Sequence, residues 1–214
     1  MSRQRDAFLG GEGDAWFARN ETALAARDWS RDPLCRRLEA LPRVDRPSLV
    51  LEIGCGDGSR LQYLTDRGGF EVFGIEPSEK AVAKARERGI QAMRATAENL
   101  PFADSSMDIV VFGFCLYLCD DRDLFRIALE ADRVLADVGW LLILDFEAPA
   151  PTYNAYRHLE GVRSRKMEYS SMFAWHPAYT LASYEKLHHG TEQWTDDPEE
   201  WVSLACLRKH RPPQ

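Results

Sequence analysis

Three glycines alternate through Gly54-Cys55-Gly56-Asp57-Gly58, directly after the apolar run Val50-Leu51-Glu52-Ile53. Glycines at that spacing let backbone approach a ligand where any Cβ would intrude, and they supply the left-handed turns of a tight strand-to-helix loop. The next apolar stretch, Phe70–Ile75, is closed by Glu76. An acid about 20 residues past such a turn is placed to accept hydrogen bonds from ribose hydroxyls. The chemistry announced by this pair is recognition of a nucleoside-bearing cofactor.

Alternating strands and helices must hold these residues in place. Residues 49–53 read as a buried strand and 58–67 as the helix after the glycine turn. A strand over 70–75 follows, then a helix over 79–88 capped by Ser78 and stopped by Gly89. Strands are expected at 90–95, 107–112 and 140–146, with a helix over 121–136 that turns Leu124, Ile127, Ala131, Val134 and Leu135 inward. Upstream, residues 13–27 read as a helix capped by Asp14, and Asp32-Pro33 opens a short helix with Leu34, Leu38 and Leu41 on one side. Residues 42–47 are a polar connector. Beyond 147 the pattern changes to prolines, aromatics and arginines, with strand-like segments near 166–173, 178–187 and 201–208. Strand-helix alternation followed by consecutive strands predicts a mixed sheet with a late antiparallel hairpin.

Composition narrows the partners. A net charge of −7 on 214 residues argues against nucleic acid and anionic membranes, which require a basic face. No apolar run reaches the roughly 18–20 residues of a membrane span, and no apolar stretch of a signal peptide follows the N-terminus. A cytoplasmic protein, monomer or homodimer, with a small-molecule substrate is expected. The five cysteines are scattered and lack zinc-site spacing, so they read as reduced thiols and no metal is expected. His188-His189, before Gly190, reads as a surface turn, and the terminal run from Arg208 as a solvated tail.

Several motifs in order carry a family resemblance: Val50 to Gly58, Gly74-Ile75-Glu76-Pro77-Ser78, Ala97-Glu98-Asn99-Leu100-Pro101-Phe102, Asp108 to Asp120, and Leu129 to Leu144. Over roughly residues 48–147 the chain resembles the class I S-adenosylmethionine-dependent methyltransferases, in particular their small-molecule group. The resemblance implies an α/β fold, Rossmann-like and doubly wound, with a seven-stranded sheet whose last strand is antiparallel. It divides the chain into an N-terminal helical cap, 1–47, and an S-adenosylmethionine-binding domain, 48–214, with a substrate-covering arm around 147–180. The cofactor implied is S-adenosyl-L-methionine, with S-adenosyl-L-homocysteine as product.

Carried onto this sequence, the resemblance places Glu52, Gly54, Cys55 and Gly56 by the methionine part, Glu76 on the ribose, and Pro77 against the adenine. Ala97 and Glu98 fall along the adenine edge and Phe114 beside the sulfonium. The N-terminal helix nominates Trp16, Arg19 and Asn20, with the Arg19 guanidinium on the methionine carboxylate. Two places depart from the pattern: Thr96 stands where an Asp commonly takes the adenine amino group, and Tyr117 where the exit loop often has a His. Tyr117, His158 and His176 are the candidate proton acceptors.

In the arm, Tyr153, Tyr156, Arg157, Tyr169 and Trp175 are the candidate substrate contacts, as stacking aromatics and an anion-binding arginine. The stretches 10–20 and 166–180 are also similar to methyltransferases of bacterial surface-polysaccharide and related sugar pathways. The expected reaction is methyl transfer to an oxygen or nitrogen of a small molecule, a sugar or sugar-linked metabolite included. A binding or regulatory protein without transfer activity is the alternative of another class, kept open by Tyr117. An NAD-dependent oxidoreductase shares the fold and ribose acid but prefers G-x-G-x-x-G, whereas this turn is G-x-G-x-G and Leu61 stands where the packing glycine belongs.

Overall fold

Residue alternation along the strands sorts the core onto two faces of one sheet. In the computed structural model, which describes residues 3–42, 45–191 and 194–210, β1 (Ser48–Ile53) pairs in parallel with β2 (Phe70–Glu76) and β4 (Met107–Gly113). Beyond β2 lies β3 (Gln91–Arg94), and beyond β4 lies β5 (Leu135–Phe146). A small hairpin of β6 (Thr152–Ala155) and β7 (Arg163–Lys166) stands apart. The chain ends in β8 (Tyr179–His188) and β9 (Trp201–His210), giving the order β3-β2-β1-β4-β5-β9-β8. The last strand, β9, runs antiparallel to both its neighbours, so the doubly wound seven-stranded α/β sheet is the one expected.

The helices are α1 (Arg3–Ala7), α2 (Gly13–Ala25), α3 (Pro33–Glu39), α4 (Ser59–Arg67), α5 (Glu79–Glu87), α6 (Leu124–Val134) and α7 (Ser171–Ala174). Val50, Val72, Ile109, Val111, Leu142 and Leu204 face one side, where Leu34 and Leu38 of α3, Leu61 and Leu64 of α4, and Val82 and Ala85 of α5 cover them. Leu51, Ile53, Ile75, Val110, Phe112, Leu141 and Ile143 face the other, against Ile127, Ala131 and Val134 of α6 and Phe173 of α7. Adjacent residues on a strand point to opposite faces, and parallel strands are covered on both, which is why β1 and β4 are almost uniformly apolar. Among the described residues no helix is long and apolar enough to cross a membrane.

Four local expectations change. The helix expected over 121–136 ends at Val134, and Leu135, placed on its inner face, instead opens β5 ahead of the expected start at 140. Residues 166–173 form no strand: β7 ends at Lys166, and α7 begins at Ser171 after Glu168 accepts hydrogen bonds from the Ser170 and Ser171 amides. Asp14 does not cap its own helix, because a five-residue π-turn (Phe8–Glu12) joins α1 to α2 and leaves no free start there. Instead its Oδ1 accepts from Ser78 Oγ at 2.6 Å and the Lys80 amide at 3.1 Å, completing the N-terminus of α5 and pinning α2 to the sheet domain. We expect Asp14→Ala to cost about 1 kcal/mol in urea denaturation, the typical value of a lost N-cap.

The terminal run is likewise not a free tail. Lys209 is 1% exposed in β9, with its ammonium donating to the Asp132 and Leu135 carbonyls. Residues 211–214 of that run and 43–44 of the connector lie outside the described residues.

Candidate functional site

The sheet reverses its winding between β1 and β4, and a pocket opens there above the carboxyl ends of β1, β2 and β4. Open α/β sheets bind ligands at this switch point because the loops on its two sides diverge. The glycine turn forms its floor. Gly54, Gly56 and Gly58 have φ of 78°, 54° and 72°, a region costly for any residue with a Cβ. The turn is tied to β2 by the Gly54 and Cys55 amides, which both donate to the Ile75 carbonyl, at 2.9 and 3.0 Å.

Glu76 stands at the end of β2, 8% exposed. Its two oxygens accept from the Gly56 amide at 3.1 Å and the Ser78 amide at 3.0 Å, which aim the carboxylate over the turn. Burial pushes its pKa up to about 7, against the pull of those two amides. Glu98, in the loop after β3, lines the same pocket; it is 4% exposed, and its Oε2 has no hydrogen-bond partner. An unsatisfied buried carboxylate oxygen in a pocket wall is a costly arrangement that a ligand donor would relieve.

A buried charge network closes the inner end. Arg60, in the first turn of α4, donates to Glu52 and reaches Asp32, the N-cap of α3; the three are 6%, 2% and 2% exposed. Burial opposes the Arg60 charge, but Asp32 and Glu52 outweigh it and raise its pKa. Arg27 pairs with Asp32 at 2.9 Å, and the guanidiniums of Arg27 and Arg60 lie 5.0 and 5.1 Å from the Trp29 ring centroid. Gly113 permits this: a Cβ there would lie 2.3 Å from an Arg60 nitrogen.

The N-terminal helices roof the pocket. Gln4 donates to the Leu118 carbonyl at 2.5 Å, Arg94 to the Leu9 carbonyl at 2.6 Å, and Trp16 faces inward. The strand-four exit loop lies opposite, held by Asp145, which is 1% exposed and accepts from the Leu116 amide at 2.8 Å and the Tyr117 amide at 3.3 Å. Phe114, at the start of that loop, has φ of 58°, an uncommon strain for an aromatic residue.

Ten of the nominated cofactor residues line this one pocket: Trp16, Glu52, Gly54, Cys55, Gly56, Glu76, Pro77, Ala97, Glu98 and Phe114. Arg19 does not. It is held by Glu12 and by the Tyr156 hydroxyl at 2.9 Å, on the outside of α2, while Asn20 donates to the Trp16 carbonyl of its own helix. Arg27, Trp29 and Arg60 line the pocket instead. No local spacing marks them, because they meet only when the cap folds back on α4.

The candidate proton acceptors are not gathered there. Tyr117 lies edge-on to Phe146 at 4.9 Å, and burial, reinforced by Asp145, raises its pKa, so it stays a neutral phenol. His158 is exposed beside Tyr156. His176 and Trp175 precede β8, whose first residue, Tyr179, pairs with Lys209, while His188 at its other end pairs with Trp201. The carboxyl end of β5, Phe146, is beside Val202. His176 and Trp175 are therefore at the end of the sheet opposite the pocket.

The remaining arm residues do not line the pocket. Tyr156 donates to Glu12 at 2.7 Å, and Tyr169, 2% exposed, donates to the Arg165 carbonyl at 2.8 Å. Tyr153 and Arg157 are exposed on the hairpin. One group read as surface turn is beside the site: the His189 ring lies 4.8 Å from Phe146 and 5.8 Å from Phe114.

Residues 51–143 match the model of a methyltransferase domain. The chain is 30% identical over 166 residues to a demethylmenaquinone methyltransferase of Tropheryma whipplei, covering 70% of this chain and 61% of that one. A ubiquinone/menaquinone biosynthesis C-methyltransferase of Vibrio campbellii is 32% identical over 122 residues, covering 50% and 46%. The chain spans about half the length of the curated relatives it matches. Among solved structures, a Burkholderia thailandensis 1,6-didemethyltoxoflavin N1-methyltransferase with bound 1,6-didemethyltoxoflavin and S-adenosylhomocysteine superposes with a TM-score of 0.75. It has 16% identity, over 96% of this chain and 88% of that one, a likeness of fold.

Proposed function

From a chain whose residues 51–143 match the model of a methyltransferase domain, we propose an enzyme that transfers the methyl group of S-adenosylmethionine to a small molecule. The observation that carries this is the presence in one pocket of Glu76, held over the glycine turn, and Glu98, its Oε2 unpartnered. A nucleoside presents two ribose hydroxyls to the first and, with adenine, an exocyclic amino group to the second. Pro77 and Ala97 are placed to cover the adenine ring, and Gly54 to Gly56 to lie along the amino-acid tail. Arg27, which lines the pocket where Arg19 does not, replaces it as the candidate partner of the tail's carboxylate; it pairs with Asp32, which Arg60 also holds.

The bound sulfonium supplies an already activated methyl group. The protein's residues orient and enclose: Trp16 and the α1–α2 roof exclude water, Phe114 flanks the reacting end, and Asp145 fixes the exit loop. An oxygen or nitrogen acceptor is the reading we favour, and transfer to carbon is a second one, supported by the names of the quinone-pathway relatives. The sugar reading leans on 10–20 and 166–180, and part of the second stretch is at the far end of the sheet.

Calorimetry with S-adenosylhomocysteine and NAD tests the proposal. The first should bind at about 10 µM or tighter, on the order of −7 kcal/mol, and NAD should give no heat. Equal binding of both would sink it. Glu98→Ala should weaken S-adenosylhomocysteine by about tenfold while leaving inosine-based S-inosylhomocysteine, which lacks the amino group, nearly unaffected.

A further inference from the structure

The β6–β7 hairpin forms a two-stranded sheet of its own, four residues to a strand, and its residues 152–166 lie outside the lining of the cofactor pocket. A hairpin that small keeps its shape through what it packs against. Three of its polar ties reach the elements that enclose the pocket. The Tyr156 hydroxyl donates to Glu12 at 2.7 Å and accepts from Arg19 at 2.9 Å. Buried Arg165 donates to the Leu116 carbonyl at 3.4 Å. The third tie runs through Gln4 of α1, which is buried and lines the pocket. Its Nε2 donates to the Leu118 carbonyl at 2.5 Å, and its Oε1 accepts from the Arg163 amide at 3.3 Å. A carbonyl only accepts and a backbone N–H only donates, so both ends of the Gln4 amide are fixed. One buried side chain thus joins the roof, the exit loop and the hairpin.

We propose that Gln4 is a positioning residue that couples this hairpin to the methyl donor: a bound donor, by fixing Gln4 and Leu118, also orders residues 152–166. Leu118 lines the same pocket, so a ligand that fills the pocket holds both partners of the Gln4–Leu118 bond. Gly10 and Gly11, just past α1, give that helix freedom to move. Gly11 has a φ of 132°, and a Cβ at either glycine would meet nothing within 4 Å. Without the donor, α1 lifts from the exit loop and the Arg163 amide loses its acceptor. With the donor bound the roof stays down, and the hairpin is held at Arg163 and Tyr156 together. The coupling is one of order: a ligand that stiffens one segment stiffens the segment bonded to it. It sets a sequence of assembly in which the donor site is completed first and the hairpin settles against it. The inference rests on the methyl-donor reading above.

Amide hydrogen exchange of the full chain, read by mass spectrometry with and without saturating S-adenosylhomocysteine, tests the coupling. We expect the ligand to slow exchange over 152–166 by about tenfold, although those residues lie outside the pocket lining. Gln4→Met removes both hydrogen bonds at similar side-chain length and should reduce the slowing to about twofold or less at saturating ligand. Gln4→Glu keeps an acceptor for the Arg163 amide but offers no donor to the Leu118 carbonyl, and should fall between the two. It is read alone should Gln4→Met not bind the ligand. Ile109→Val, which loosens the core on the α3–α5 face of the sheet, should keep the full slowing, so lost stability is told apart from a lost joint. Hairpin exchange that ignores the ligand, full slowing in a Gln4 variant that binds it, or equal loss in Ile109→Val would each overturn the inference. Loss of ligand binding in both Gln4 variants would overturn it too, by making Gln4 a binding residue. Failure of S-adenosylhomocysteine to bind the unmodified protein would instead overturn the methyl-donor reading.

Discussion

Glu76→Ala is expected to weaken S-adenosylhomocysteine binding by at least tenfold, about 1.4 kcal/mol. The floor is conservative, because each hydrogen bond to a charged group contributes about 1.5–3 kcal/mol and a ribose offers two. The alanine also releases the Gly56 amide, which Glu76 holds at 3.1 Å, so the glycine turn loses part of its alignment. The pH dependence separates ribose recognition from mere bracing. With its pKa pushed by burial to about 7, Glu76 is largely protonated below that pH, and a protonated carboxyl accepts hydrogen bonds less well.

Affinity should therefore rise as pH climbs through 7 and level off above it, and Glu76→Gln should flatten the profile. The ligand-free protein should slope the other way. A carboxyl whose folded pKa is raised contributes stability that is present below its ordinary pKa of 4.5 and is lost as pH rises through about 7. Asp145, also raised to about 7 by burial, adds to the same slope. Unchanged affinity in Glu76→Ala by calorimetry would remove the ribose assignment.

Arg60→Met should lower stability by about 3–5 kcal/mol, the range for a buried pair broken from one side. Glu52 and Asp32 are each 2% exposed. Asp32 retains Arg27 at 2.9 Å and the Cys35 amide at 3.1 Å, whereas Glu52 loses the guanidinium that holds it. For a chain of this size the melting temperature should fall by roughly 6–20 °C. Glu52 sets the pH sign. Burial already raises its pKa against the pull of Arg60, and without Arg60 it rises further, so the variant should be closest to the parent at acid pH and furthest from it above neutrality. Adding Glu52→Leu should recover part of the loss, since an apolar pair of similar volume leaves no orphaned charge. A melting temperature within about 2 °C of the parent, equivalent to under 1 kcal/mol, would show the network to be dispensable.

The parts of the site that were legible in the chain are local. Gly54, Gly56 and Gly58 follow one strand end, Glu76 ends the adjacent strand, and Ala97-Glu98 follows the next. In a parallel sheet these strand ends are brought together by register alone, Ile53 beside Ile75 and Glu76 beside Arg94. Residues beyond β5 obey no such rule. Trp175 and His176 sit in an aromatic-rich arm, yet β8 starts at the far end of the sheet and delivers His188 and His189, not them, to the pocket side. Which end of a late antiparallel strand lies near the ligand depends on its pairing with β9, and no spacing along the chain encodes that.

Arg19 and Arg27 differ in the same way. Both lie near a helix that folds over the pocket, but Arg19 meets Glu12 and Tyr156 outside it, and Arg27, beyond the end of α2, lines the pocket. Short-range physics, glycine conformation and strand alternation, is written residue by residue, and it reached as far as the doubly wound sheet and the cofactor-side cradle. The charge network under Trp29, the contact of Tyr156 with the roof, and the seat of His189 against Phe114 and Phe146 arise from packing between segments far apart in the chain. Their energies depend on burial and on partners that exist only once the sheet has closed.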